Sequence, residues 1–311
     1  MNLDHIDLFP SEDLMVNSDG MVGGGSDMKY LQLPVSKARV FYRESGLSAA
    51  PVVLLLHGFP SSSHQYRNLI PLLATKYRVV APDLPGFGFT EVPDGFHYTF
   101  KNLADTVAEF LDTLSISKFS VYIFDYGSPT ALRLALRRPD SIQAIITQNG
   151  NAYEEGLGSF WNQIREFWAS GNAPDARANL AKTMLSLEAT KWQYEHGTSS
   201  TRTIAPESYT LDYTLLQRAG NSDAQVDLFW DYQNNIKLYP QFHEYFRKSQ
   251  VPLLGVWGKN DPIFVPPGAE AFKRDLPQAE LHLLNAGHFA VETETEEIGQ
   301  LILNFLAQNG I

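Results

Sequence analysis

The sequence predicts an α/β protein: a mostly parallel sheet covered by helices on both faces, with a helical cap inserted late in the chain. Three observations carry this expectation. Short apolar runs such as "VVLLLH" (52–57) and "FSVYIF" (119–124) alternate with stretches of helical period, the pattern of parallel strands buried on both faces. Between Asn151 and about Arg247 the strand-like runs stop and aromatic residues accumulate. Beyond Arg247 the alternation resumes with "VPLLGVWG".

The elements follow in order. Residues 1–27, ending in "NSDGMVGGGSD", are polar, glycine-rich and without period, and are expected to form a flexible extension or tag remnant. The first part of the core is expected over 28–150. "KARVFYRES" reads as an early strand, "VVLLLH" as a buried one and "YRVVAPD" as a third. From Thr99 to Leu114 the apolar residues Phe100, Leu103, Val107, Phe110, Leu111 and Leu114 form a helical stripe. "FSVYIF" is the next strand, "SPTALRLALRRPD" a helix and "IQAIITQ" a strand. The cap is expected over 151–247, with helix-like stretches "FWNQIREFW" and "LAKTMLSLEATKWQYEHG". The second part of the core is expected over 248–311: "VPLLGVWG" and "AELHLL" as strands, "GAEAFKRDLP" and "EEIGQLILNFLAQ" as helices.

Composition narrows the function classes. At 311 residues, one core with an insertion and two domains are both compatible with the length. A formal charge of −11 with no basic run argues against nucleic acid or an anionic membrane as partner. The chain has no cysteine, which excludes disulfides and thiolate chemistry. No stretch is long and apolar enough to span a bilayer, and "MNLDHIDLFPSEDL" lacks the charged and apolar regions of a signal peptide. The cytosol is the default expectation, and a homodimer stays open.

The chemistry centres on "VYIFDYGSP" (121–129), in which a buried strand runs straight into Asp125. A residue between a strand end and a helix start can be held in a strained turn, its side chain raised above the sheet edge near the positive end of the helix. Gly127 supplies the small residue such a turn needs, whereas Ile123 fills the position two before Asp125 that is usually small. The other reading makes Asp125 an N-cap for a helix beginning near Ser128. Asp261 in "GKNDPIFVPPG" and His288 in "LLNAGHFAVE" follow strand-like runs, so all three residues are expected at one edge of the sheet. Their chain order is nucleophile, acid, histidine. "HGFPSSS" (57–63) has the character of a loop whose backbone N–H groups bind an oxyanion, with His57 at its root in a structural role. There is no HExxH, no phosphate-binding GxxxxGK[ST] and no dinucleotide fingerprint, so neither metal nor organic cofactor is expected.

Taken together, "HGFP", "PDLPGFGFT", "FDYGS", "GKNDP" and "GHF" resemble the α/β-hydrolase fold in its aspartate-nucleophile branch, that of epoxide hydrolases and haloalkane dehalogenases. The likeness covers about Met28 to Ile311. It implies Asp125 as nucleophile, His288 as base, Asp261 as the residue orienting that base, and the Phe59 and Tyr126 N–H groups as oxyanion donors. Two departures stand out: Ile123 and Phe124 replace the small residue and the histidine or glycine often found there, and Tyr126 replaces the usual tryptophan.

A carboxylate is already ionised near neutral pH and can displace a leaving group from saturated carbon, so the expected partners are a small apolar organic substrate and water. Epoxide opening needs an acid, in this branch typically cap tyrosines, and the resemblance implies Tyr232 and Tyr239 as candidates, because they precede the strand leading to Asp261 by a distance similar to that of the acid tyrosine in epoxide hydrolases. A leaving halide needs weak donors such as indole N–H groups, for which Trp168 is the candidate. Epoxide hydrolysis to vicinal diols is the expected activity, with dehalogenation as the alternative. A reading of another class, a ligand-binding protein that keeps the fold without catalysis, also stays open.

Overall fold

β5, Phe119–Phe124, is buried at every position, because neighbours pair with it on both sides and helices cover both of its faces. Its side chains alternate between two cores, as period-2 geometry requires. Val121 and Ile123 join a layer with Phe100, Leu103 and Ala131. Tyr122 and Phe124 join a second layer with Leu69, Ile70 and Ile298. A run in which Ser120 is the one small polar residue among apolar and aromatic side chains is therefore what a central parallel strand allows.

The computed structural model describes residues 27–311, and the expected N-terminal extension lies outside the described residues except for Asp27. Eight strands form one sheet: β1 (Lys29–Val35), β2 (Ala38–Ser45), β3 (Val52–Leu56), β4 (Arg78–Pro82), β5, β6 (Ile142–Gln148), β7 (Leu253–Gly258) and β8 (Glu280–Leu284). Their order is β1-β2-β4-β3-β5-β6-β7-β8. β1 and β4 each pair antiparallel with β2, and all remaining pairs are parallel. The C-terminal ends of β3 to β8 thus share one edge of the sheet.

β1 is an addition to the sequence expectation. It lies at the sheet margin with no fully buried position, and its alternating Leu31, Leu33 and Val35 are only half-buried against the core. Its stability comes from backbone pairing with β2 along its whole length.

One face of the sheet is covered by α2 (Phe100–Thr113) and α3 (Gly127–Arg137), the other by α1 (Leu69–Leu73) and α13 (Thr295–Gln308). α2 sits where its stripe predicts, with the Thr99 side chain accepting from Asn102 N–H as N-cap and Leu114 as C-cap.

Between β6 and β7 the chain runs through α4 (Asn162–Ala169), α5 (Pro174–Met184), α6 (Leu187–Glu195), α7 (Pro206–Leu216), α8 (Asn221–Asp231), α9 (Gln233–Ile236) and α10 (Tyr239–Ser249). The stretch "LAKTMLSLEATKWQYEHG" is split across α5 and α6, because the Ser186 hydroxyl accepts from Ala189 N–H and starts a new helix. After β7, α11 (Pro266–Ala271) is shorter than expected and tightens into a 3₁₀ turn at Phe272–Arg274. α12 (Ala290–Thr293) follows β8. No helix among the described residues is long and apolar enough to cross a membrane.

Candidate active site

Asp125 follows the last residue of β5 and has φ +45°, a left-handed conformation unusual for a residue other than glycine. Room for the turn comes from its surroundings. A Cβ on Gly127 would lie 2.2 Å from the Leu56 carbonyl oxygen, and one on Gly58 would lie 2.2 Å from Asp125 Oδ1. Ile123 is accommodated because the crowding is relieved just past the next strand, where a Cβ on Gly150 would meet Ile123 Cγ1 at 3.1 Å.

The carboxylate does not cap α3, which starts without a side-chain cap. Phe59 N–H donates to Asp125 Oδ1 at 2.6 Å, and Tyr126 N–H lies close enough to the carboxylate to favour its charge. The two backbone donors expected to form an oxyanion site therefore converge on Asp125 itself. Burial pushes the Asp125 pKa up to about 6, against the lowering effect of nearby His288 and these two N–H groups.

His288, fully buried, reaches the same edge from beyond β8. Its Nδ1 lies 2.8 Å from Asp261 Oδ2, so Nδ1 carries a proton directed at Asp261 and Nε2 is the nitrogen left to gain or lose one. Nε2 is buried without a partner. Burial alone would lower the His288 pKa, but the charge and hydrogen bond of Asp261, together with the charge of Asp125, raise it. Asp261, beyond β7, is held in turn by Ile263 N–H on Oδ1 at 2.7 Å.

His57 stands apart from this chemistry. Its Nε2 accepts from Leu84 N–H at 2.9 Å, which fixes the proton on Nδ1 and directs it to the Gly58 carbonyl at 3.0 Å. Both nitrogens hold backbone, and burial lowers its pKa.

Among the aromatic candidates, the Trp168 indole N–H is already spent on the Phe229 carbonyl at 2.8 Å. This corrects its expected part as a halide donor, because an N–H committed to a carbonyl is not available to a leaving group. Trp161 is likewise committed, to the Ile263 carbonyl at 2.9 Å. Tyr232 is fully buried, with its ring 5.9 Å from that of Tyr126 and 4.4 Å from that of Trp161. Its hydroxyl lies beside Tyr239 without a geometrically sound hydrogen bond. Burial raises its pKa strongly, and the charge of Asp125 adds to the effect. The Tyr239 hydroxyl accepts from Asn151 Nδ2 at 3.2 Å.

Two residues at this edge escaped the sequence reading. Asn149, at φ +52° just past β6, donates from Nδ2 to Asp261 Oδ2 at 2.8 Å and accepts from Gly258 N–H at 2.9 Å. Gln148 donates to the His288 carbonyl at 2.6 Å. Their signal was a polar pair closing a strand before Gly150.

Residues 51–295 match the family model described as alpha/beta hydrolase fold. The chain belongs to that family. This hydrolase is 48% identical to an uncharacterized hydrolase of Saccharomyces cerevisiae over 87% of its own length and 94% of the relative's. It is 27% identical to a haloalkane dehalogenase of Psychrobacter cryohalolentis, over 88% of this chain and 89% of that one. Among solved structures it resembles haloalkane dehalogenase DbeA from Bradyrhizobium elkani, with TM-score 0.75 and 25% identity over 91% of this chain and 99% of that chain. An epoxide hydrolase from Vigna radiata shares the fold at TM-score 0.73 and 22% identity, over 90% and 98% of the two chains.

Proposed function

We propose that this hydrolase opens apolar epoxides to vicinal diols through a covalent ester on Asp125. The observation that carries the reading is the Tyr232 hydroxyl, buried beside that of Tyr239 without a well-formed hydrogen bond and within the field of Asp125. A buried orphan hydroxyl costs about 1–3 kcal/mol, and an oxygen that becomes an alkoxide would satisfy it. Weak donors suited to a halide are scarcer, since the indole N–H groups of Trp161 and Trp168 both bond backbone carbonyls. Phe59, Phe100, Trp161 and Phe229 surround Tyr126 and Tyr232 with aromatic surface, which suits an apolar substrate.

In the proposed reaction the free Asp125 oxygen attacks a ring carbon, the C–O bond breaks, and Tyr232 gives its proton to the departing oxygen. Esterification removes the negative charge of Asp125, one of the influences raising the His288 pKa. More His288 is then neutral and able to take a proton from water at Nε2. Hydroxide adds to the ester carbonyl, and the Phe59 and Tyr126 N–H groups stabilise the resulting oxyanion. Collapse frees the diol oxygen, which takes the proton from His288. The carboxylic acid left on Asp125 returns its proton to the tyrosinate, so the net change is epoxide plus water to diol.

The reading is tested by assaying wild type and Asp125→Ala on a panel of epoxides, haloalkanes and aryl esters. Diol formation that vanishes with Asp125 supports it. Halide release without any diol would replace it with dehalogenation, the activity named for several relatives.

A further inference from the structure

Tyr126 is the residue immediately after Asp125, and its part so far is a backbone N–H. Its side chain has a separate feature. The residue is 2% exposed, its ring lies among Phe59, Phe87, Phe100, Phe229 and Tyr232, and its hydroxyl is buried without a hydrogen-bond partner. A phenylalanine would fill the same aromatic nest at no polar cost. The hydroxyl is therefore a liability for folding unless something other than protein satisfies it. The direction of that something is narrowed by two neighbours. Asp125 is close enough for its charge to act on the Tyr126 phenol, and Tyr232, a phenol whose hydroxyl meets only that of Tyr239 and without a well-formed hydrogen bond, has its ring 5.9 Å away.

We infer that Tyr126 is a second catalytic phenol, its hydroxyl pairing with that of Tyr232 to bind the epoxide oxygen as the ring opens. The inference rests on the epoxide reading and deepens it. Two donors suit an epoxide oxygen, which has two lone pairs and gains a full negative charge when its bond to carbon breaks. One proton is transferred, from Tyr232, and the Tyr126 hydroxyl keeps its own while hydrogen-bonding to the oxygen throughout. One residue then serves both half-reactions through different groups: the phenol while Asp125 is alkylated, the backbone N–H while the ester is hydrolysed. Only the first is lost when tyrosine becomes phenylalanine.

The test is a single-turnover comparison of wild type, Tyr126→Phe and Tyr232→Phe on one apolar epoxide, with the alkylation and ester-hydrolysis rates resolved separately and the melting temperature recorded. Tyr126→Phe keeps every ring contact and removes an orphan hydroxyl, so it is expected to melt at or above the wild-type temperature. Its alkylation rate is expected to fall about tenfold or more, the scale of losing a donor aimed at developing charge, with ester hydrolysis within twofold. Wild-type alkylation by Tyr126→Phe, with Tyr232→Phe slowed, overturns the inference and leaves the epoxide reading standing. Equal slowing of both steps also overturns it, because that marks a displaced Asp125. Failure of wild type to form diol overturns the reading and the inference together.

Discussion

Asn149 Nδ2 donates to Asp261 Oδ2 at 2.8 Å, the same oxygen that faces His288 Nδ1 at 2.8 Å. The carboxylate is thus clamped between an amide on β6's end and the imidazole it orients. Asn149→Ala removes a hydrogen bond to a charged group, worth about 1.5–3 kcal/mol. It also puts a Cβ without a polar side chain into a left-handed conformation, at a further cost of about 1 kcal/mol. Chemical unfolding should show a loss on that scale, and ester hydrolysis should slow more than alkylation in single-turnover kinetics.

If the ester forms on Asp125, a single turnover in heavy-oxygen water puts the label into the Asp125 carboxylate first and into product only in later cycles. Peptide mass spectrometry after one turnover reads this directly. Full labelling of product with none in the protein would rule the covalent route out.

Displacement at saturated carbon needs no base, whereas hydrolysis of the ester does. His288→Ala is therefore expected to stall after alkylation, with intact mass increased by one substrate. A folded variant that never forms the adduct would remove His288 from its assigned step.

The attacking carboxylate must be ionised, and the Asp125 pKa lies at about 6. The alkylation rate should be flat above that pH and fall about tenfold per unit below it. The stability sign is the reverse of the usual carboxylate case. The folded-state value lies above the ordinary carboxylate value of 3.8, so ionising Asp125 costs stability as pH rises from about 4 to 6. The cost is on the order of 3 kcal/mol. Asp125→Asn, which keeps an acceptor for Phe59 N–H, should be inactive yet melt higher than wild type at pH 7, and the gain should vanish near pH 4. A variant no more stable at pH 7 would contradict the buried-charge account.

Tyr232→Phe should slow alkylation by about 10²-fold, the range of general acid catalysis, and leave ester hydrolysis unchanged. Tyr239 has its hydroxyl held by Asn151, so Tyr239→Phe should have the smaller effect. The reverse order in the same burst experiment would shift the acid to Tyr239.

The sequence alone determined the parallel core and the address of the site. Local hydrophobic period carries that information: β5 and β6 are the runs "FSVYIF" and "IQAIITQ" themselves, and α2 is the Thr99-capped stripe. Because parallel strands end on one side of a sheet, residues that follow β5, β7 and β8 come together, and Asp125, Asp261 and His288 were legible for that reason. β1 was not, since its alternating Leu31, Leu33 and Val35 are a short, half-buried set interrupted by Pro34, a weak signal for an edge strand. Tertiary structure alone decided how each polar group is spent. The Trp168 N–H is taken by a carbonyl 61 residues away and Asp261 is clamped by an amide 112 residues away, while the hydroxyls of Tyr126 and Tyr232 are left without a well-formed hydrogen bond. A hydrogen bond needs a partner within about 3 Å in space, and spacing along the chain does not encode which distant carbonyl or amide the fold brings there.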